Sequence, residues 1–305
     1  MTIYLINIGL TLLFGFALLQ NAVALPSASL YIKKPINTET MVLFKKKLFV
    51  FLTTVQWILL SGLRHMSVGA DTENYRDSFL RNELISWEEA ADNFVKIYFQ
   101  GGEGKDPGYV FFEKICGFFT EDYQVYLIII AVIFFVPFGY FIYKNSCEPT
   151  FSFLIFASLF YAFFAITGHR QTIATALVVL IGYELIKKRK FIPFLFLVLV
   201  ASTIHKSALL FLIFYFVANI KITKGYIITM QGSIFTLFVF KDAFAVFVKA
   251  LSGYEKDYAL AYVGAGTETF SLMFTLVTIV ALWKMKTILE NNPNAKHYYL
   301  SLIHI

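Results

Sequence analysis

The sequence predicts an all-α membrane protein, a polytopic bundle of about nine transmembrane helices. Of its 305 residues, 58% are hydrophobic and 15% are charged, whereas soluble domains average roughly 45–50% and about 25%. Apolar runs long enough to cross a bilayer recur along the chain and are separated by charged breaks. Strands exposed to lipid would leave backbone groups unpaired, so these runs are predicted to be helices.

The predicted spans follow the apolar runs in chain order. They cover residues 2–24, 47–63, 123–143, 150–167, 172–186, 191–204, 207–220, 226–247 and 270–289. The first span is predicted to be an uncleaved helix, because residues 1–4 supply no positive charge and the apolar run is longer than the core of a usual signal peptide. We expect residues 1–305 to form a single integral membrane domain.

The positive charges in the short loops predict the orientation of the bundle. One set of alternate loops carries most of the loop cations, including those at 45–47 and 187–190. The short loops of the other set carry fewer cations: Arg170, Lys206, Lys249 and Lys256. The positive-inside rule therefore places the N-terminus outside and the C-terminus in the cytoplasm. Because the net charge of +6 comes from these loops, no nucleic-acid partner is expected.

The long loop 64–122 is external by the same alternation and is rich in acidic residues. Residues 87–99 have the spacing of an amphipathic helix. A glycine-rich break follows, 106–109 is a predicted turn, and 109–119 is predicted to be a second amphipathic helix. We expect this loop to pack over the bundle.

Two histidine–cation pairs, His169-Arg170 and His205-Lys206, lie on the predicted external side. Two helices of ~14 residues flank the second pair and rise only ~21 Å, less than the ~30 Å core of a bilayer, so this turn is predicted to be recessed. Taken singly, each pair is explained as well by a cation that snorkels to the interface and a histidine that caps a helix as by a functional site. Together with Arg64 on the same side, they favour a pocket that binds a polyanion.

Asp71 lies a few residues after Arg64, and the intervening Gly69 permits a sharp bend between them. An acidic residue in this position could be a general base, a partner for an arginine, or the N-cap of the helix that carries Tyr75. The sequence shows no His, Asp and Glu cluster with ligand spacing and no nucleotide-binding fingerprint. Neither a metal nor a cofactor is therefore expected.

Several short segments match one family of membrane proteins in their order and membrane placement. They are Gly62-Leu63-Arg64, residues 68–75, Asp106-Pro107-Gly108-Tyr109 before a helix, Arg170-Gln171-Thr172-Ile173-Ala174, the run 187–190 and Ile204-His205-Lys206-Ser207-Ala208. In these segments the chain resembles the EpsG family, Wzy-like membrane proteins that polymerise exopolysaccharide or capsule repeat units. The resemblance covers roughly residues 45–290. Family members commonly have Thr or another small residue at Ala70, and the apolar start of a tenth segment at 298–305 suggests a truncated chain.

The resemblance implies a glycosyltransferase of the bacterial cytoplasmic membrane. The donor would be a glycan on undecaprenyl diphosphate, and the acceptor a sugar hydroxyl of a lipid-linked repeat unit. Arg64, Arg170 and Lys206 are then expected to bind the diphosphate, and Tyr75 to contact substrate. The candidates for the base or for orienting the acceptor are Asp71, His205 and His169. Membrane lipid and other polysaccharide assembly proteins are the expected partners.

Two alternatives remain open from the sequence. A ligase-type glycosyltransferase would use the same lipid donor but a different acceptor. A transporter or flippase of lipid-linked oligosaccharide would be expected to contain an inverted repeat and charged groups near the membrane midplane. The sequence shows no convincing repeat, and its recessed cations cluster toward one side.

Overall fold

A computed structural model describes residues 2–19, 36–69, 71–158 and 161–218, with scattered positions between 225 and 290. The described residues form helices and no strand, which confirms the predicted all-helical class. The chain divides into two compact units, residues 1–212 and 213–305, and every candidate site residue belongs to the first. The predicted spans 226–247 and 270–289 lie outside the described residues, apart from the scattered positions.

The helices of the first unit follow one another with short connections. In chain order they are α1 (Thr2–Leu19), α2 (Ile36–Gly62), α3 (Thr72–Leu84), α4 (Trp87–Phe99), α5 (Pro107–Gly117), α6 (Tyr123–Asn145), α7 (Pro149–Ser158), α8 (Tyr161–Thr167), α9 (His169–Thr175), α10 (Gly182–Lys187), α11 (Phe191–Ile204) and α12 (Phe211–Val217), the last of which continues into the second unit. A π-helical segment (Ala176–Ile181) joins α9 to α10, and a 3₁₀ segment (Lys206–Leu210) precedes α12.

Two described helices, α1 and α6, are long and apolar enough to cross a membrane. The shorter apolar helices α7 and α11 and the stretch Lys206–Val217 overlap other predicted spans. Helix α2 covers the predicted span 47–63 but begins earlier, at Ile36, so that the lysines at 45–47 lie inside a helix. Two clear spans do not confirm the count of nine, which stays a prediction.

Helices α2 and α6 pack side by side through aromatic side chains. Trp57 of α2 stacks on Phe135 of α6 with ring centroids 5.7 Å apart. Gly139 allows a close approach, because a Cβ there would lie 2.1 Å from the Thr54 hydroxyl. The carboxylate of Asp122 accepts a hydrogen bond from the Gln124 N–H at 2.7 Å and so caps the start of α6. This fixed helix end supports the candidate site.

The 64–122 segment contains three helices, α3 to α5, of which α4 and α5 confirm the two predicted amphipathic helices. Helix α4 is capped by Ser86, whose hydroxyl accepts from the Glu89 N–H at 3.0 Å. Helix α5 has Pro107 at its first position, where the missing N–H costs no hydrogen bond.

The 64–122 segment packs against the apolar helix α11, as the sequence predicts. The Tyr98 hydroxyl donates to the Ser202 carbonyl at 2.9 Å. A Cβ on Gly108 would lie 2.1 Å from the Thr203 hydroxyl, so only glycine lets α5 approach α11 this closely. The first turn of α5 is therefore held against the end of α11.

The predicted break at His205 is confirmed. Helix α11 ends at Ile204, and His205 is extended with φ −152° and ψ 109° before the 3₁₀ segment begins. The π-helical segment is not predicted, because hydropathy indicates one continuous helix over 172–186 and does not distinguish a π-helix from an α-helix. Such segments are frequent at functional sites, and this one follows the short helix that starts at His169.

Candidate functional site

The ends of four helices meet at one end of the first unit. These are the C-terminal ends of α2 and α11 and the N-terminal ends of α5 and α9, with α3 packed beside them. They bring together six of the seven residues that the sequence singled out: Arg64, Tyr75, His169, Arg170, His205 and Lys206. The cluster has two parts, each of which contains one arginine.

The first part, here called the buried subsite, consists of Arg64, Ser61 and His169. Only 6% of Arg64 is exposed. Its Nη1 donates to the Ser61 carbonyl at 2.5 Å and to the Ser61 hydroxyl at 3.2 Å. Its Nη2 lies 2.8 Å from Nε2 of His169. The guanidinium is therefore held from two sides.

The contact with Arg64 determines the protonation of His169. A guanidinium can only donate hydrogen bonds, so Nε2 of His169 must accept and the imidazole is neutral, with its proton on Nδ1. The ring is fully buried, and Nδ1 has no hydrogen-bond partner among the described residues. The lone pair that a base would use is occupied, so His169 orients Arg64 in this arrangement.

The charge of Arg64 has no counter-ion within the described residues. Burial lowers the pKa of Arg64 to about 10, which still leaves the guanidinium charged at neutral pH. Its Nε is buried and has no partner in the described part of the chain. A buried charge without a counter-charge is costly, and such groups are candidates for ligand binding. The buried subsite suits an anion.

The second part, here called the paired subsite, is organised by Asp106 at the start of α5. Its Oδ2 lies 3.0 Å from Nη1 of Arg170, and its Oδ1 accepts the Lys206 N–H at 3.0 Å. Nδ1 of His205 is 3.6 Å from Oδ2, which is too long for a good hydrogen bond but within ion-pair range. The side chain of Asp106 is 9% exposed and that of Arg170 is 32% exposed.

The backbone of Asp106 is in the left-handed region, with φ 51° and ψ 52°. Aspartate is one of the few residues with a Cβ that adopts this conformation readily. Burial alone would raise the pKa of Asp106, but the contacts with His205 and the Lys206 N–H and the charge of Arg170 outweigh it, so the pKa lies below the usual value. The carboxylate is thus ionised and fixed in position.

Tyr75 connects the two subsites. Its ring stacks on His169 with centroids 4.3 Å apart, and the Arg170 guanidinium carbon lies 5.6 Å from the centroid of the same ring. Nε of Arg170 also donates to the Tyr75 hydroxyl at 3.5 Å. One aromatic ring therefore contacts a residue of each subsite.

Two predicted site residues are placed differently from the expectation. Asp71 is exposed at the start of α3, and its side chain makes no cap hydrogen bond among the described residues. Lys206 joins the paired subsite through its backbone N–H, and its side chain is exposed. The sharp bend expected at Gly69 is confirmed, since its φ is 108°.

Sequence reasoning missed the central role of Asp106. The segment 106–109 is predicted to be a turn, but helix α5 already begins at Pro107, so that only Asp106 precedes it. Nothing local indicates that its carboxylate meets residues 64 and 100 positions later in the chain. The sequence singles out this segment only as part of the family resemblance, which gives no partner for its carboxylate.

Glu113, a second carboxylate that was missed, lies in α5 and is almost fully buried. Burial raises its pKa to about 7, although Asn82 and Ser78 donate hydrogen bonds to Oε2. In the same layer, the hydroxyls of Tyr109 and Tyr126 lie 2.7 Å apart. This polar layer joins α3, α5 and α6 beside the two subsites.

The sequence model of the EpsG family matches residues 47–305. The chain belongs to the EpsG family. The matched region contains both subsites, and the family comprises membrane proteins of polysaccharide biosynthesis, in general Wzy-like polysaccharide polymerases. No curated protein and no solved structure matches the chain.

Proposed function

We propose that this EpsG protein polymerises exopolysaccharide or capsule repeat units at the outer face of the cytoplasmic membrane. The donor is a glycan on undecaprenyl diphosphate, and the acceptor is a sugar hydroxyl of a lipid-linked repeat unit. The observation that carries the proposal is the buried guanidinium of Arg64, which has no counter-ion among the described residues and is linked to a second arginine, Arg170, through the stacked rings of His169 and Tyr75.

In the proposed reaction the protein forms no covalent bond with the substrate. The lipid diphosphate is a good leaving group, so the site has to bind its charge, orient the acceptor and remove one proton. Arg64 and Arg170 suit the diphosphate because a guanidinium grips phosphate oxygens in pairs. Lys206 adds a point charge at the rim. Tyr75 contacts Arg170 directly and the Arg64 partner His169 by stacking, and it offers an aromatic edge to substrate.

The proton acceptor is expected within the same cluster, and the residues that the sequence nominates for it differ in their surroundings. Of the three residues that the sequence nominated, His205 is 31% exposed and lies in the paired subsite. His169 is occupied by Arg64 and serves best as its orienting group. Asp71 stands exposed at the start of α3 and would act only on an acceptor that reaches the rim.

The test is a polymerisation assay with the full chain purified in nanodiscs and supplied with lipid-linked repeat units. Arg170→Ala is expected to abolish polymer while single lipid-linked units remain, because the donor diphosphate loses one of its clamps. Arg81→Ala, which removes an exposed arginine of α3, is the matched control and should leave chain length unchanged. Long polymer of normal yield from Arg170→Ala would refute the proposal.

The same assay separates the alternatives. A ligase would transfer glycan to an acceptor that carries no lipid diphosphate and would leave lipid-linked units unjoined. A flippase would move the units across the bilayer without forming a glycosidic bond. New bonds between lipid-linked units are expected only of a polymerase.

A further inference from the structure

Asp106 occupies a position in which it competes with any phosphate for Arg170. Its Oδ2 forms an ion pair with Nη1 of the Arg170 guanidinium at 3.0 Å. A carboxylate and a phosphate oxygen use the same donors of an arginine, so one guanidinium edge cannot serve both fully. By contrast, Arg64 has no such competitor among the described residues.

The two oxygens of Asp106 are held differently. Oδ1 accepts the Lys206 N–H at 3.0 Å, a backbone contact that holds the carboxylate when side chains move. Oδ2 faces the side chains of Arg170 and His205. If Arg170 turned toward a phosphate, Oδ2 would be released while Oδ1 stayed anchored.

We propose that the substrate diphosphate takes Arg170 from Asp106, and that the released Oδ2 is the base that removes the acceptor proton. The proposal rests on the polymerase function above and assigns that reaction a catalytic residue. Binding of the donor would thereby activate the base, because both events use the same guanidinium.

The step balances without an additional reactant. The acceptor O–H bond breaks, and its proton goes to Oδ2 of Asp106. The acceptor oxygen forms a bond to the anomeric carbon of the donor. The bond between that carbon and the phosphate oxygen breaks, and its electron pair leaves with the lipid diphosphate, whose charge Arg64 and Arg170 hold.

The electrostatics of the site agree with this order of events. The charge of Arg170 contributes to the low pKa of Asp106, after the contacts with His205 and Lys206 that oppose burial. Moving a cation away from a carboxylate raises its pKa and makes it a stronger base. The carboxylate is therefore a weak base while paired and a better one once the phosphate is bound.

Asp106→Asn is the informative variant. Asparagine also tolerates the left-handed backbone, and its side-chain oxygen can still accept the Lys206 N–H, so the start of α5 should keep its shape. The amide neither holds Arg170 as an ion pair nor takes a proton. Asp92→Asn, at an exposed position of α4, is the matched acid-to-amide control.

Two measurements on the full chain in nanodiscs test the two halves of the proposal. Calorimetric titration with inorganic pyrophosphate should show about fivefold tighter binding by Asp106→Asn, since a partly exposed ion pair no longer competes. Polymer formation from lipid-linked units should fall roughly 100-fold or more, the usual contribution of a general base. Asp92→Asn should match the wild type in both.

Further variants and outcomes keep the halves distinct. In Asp106→Asn combined with Arg170→Gln, the gain in pyrophosphate affinity should disappear; a gain that persists would overturn the exchange. Weaker binding by Asp106→Asn at an unchanged melting temperature would overturn it as well. Unchanged polymerisation would overturn the role as base. If the wild type joined no units while Asp106→Asn still bound pyrophosphate more tightly than the wild type, the polymerase would be refuted and the exchange would remain supported.

Discussion

The two arginines of the site have opposite electrostatic surroundings. Arg64 is buried, is held by neutral partners and lacks a counter-ion within the described residues. Arg170 is one-third exposed and is paired with Asp106. Both contact the pair of stacked rings formed by Tyr75 and His169. One arginine thus keeps its full charge for a ligand, and the other shares its charge with a carboxylate.

This difference teaches that similar side chains in one cluster need not have the same role. An unpaired buried cation destabilises the fold, because desolvation of the charge is not repaid by a partner. An ion pair that is partly exposed contributes little either way. We therefore expect activity and stability to change in opposite directions at Arg64 and in the same direction at Arg170.

Of the effects that distinguish the two arginines, the largest is expected for Arg64→Gln. Polymer formation should fall roughly 100- to 1000-fold, the usual cost of removing one preorganised donor from developing charge. The melting temperature of the purified chain should stay the same or rise, because the buried charge is gone. Thermal unfolding in nanodiscs and the polymerisation assay measure the two quantities on one sample.

Arg170→Gln is the comparison for that experiment. It should lower the melting temperature slightly, since the loss of a partly exposed ion pair costs about 1 kcal/mol. A marked loss of stability in Arg64→Gln would show that a counter-ion of Arg64 lies elsewhere in the chain. The contrast between the two arginines would then be wrong.

Much of the fold could be predicted from local sequence, because apolar runs, caps and breaks are local features. Helices α4, α5 and α11 were expected at nearly their observed bounds. The early start of α2 was not, since lysines at 45–47 end an apolar run without ending a helix. Hydropathy falls at these lysines, but lysine has a high helix propensity, so the helix continues through them.

The site was predictable only as a set of cations on one side. The spacing of charged residues indicated that Arg64, Arg170 and the turn at His205 converge. It could not indicate which cation has a partner, because Asp106 reaches Arg170 and Lys206 through tertiary packing of α5. Nor could it reveal that His169 accepts from Arg64.

An intermediate effect is expected at His169, and it separates an orienting role from a catalytic one. Glutamine can accept a hydrogen bond from Arg64 through its side-chain oxygen, whereas phenylalanine cannot. His169→Phe should lower polymer formation from the lipid-linked donor roughly 10- to 100-fold, the cost of a lost hydrogen bond to a charged group. His169→Gln should retain most of the activity. Equal losses in both variants would indicate that His169 takes part in proton transfer.

The smallest expected effect is that of Tyr75→Phe, which tests whether the ring or the hydroxyl of Tyr75 links the subsites. The change removes only the long 3.5 Å contact to Arg170 and keeps the ring that stacks on His169. Because so long a hydrogen bond is weak, the KM for the lipid-linked donor should change by less than about threefold. Tyr75→Leu, which removes the stacked ring, should raise that KM further, since such a contact is worth about 0.5–1.5 kcal/mol. If Tyr75→Phe were as harmful as Tyr75→Leu, the hydroxyl would be the link, and Arg170 would depend on Tyr75 as much as on Asp106.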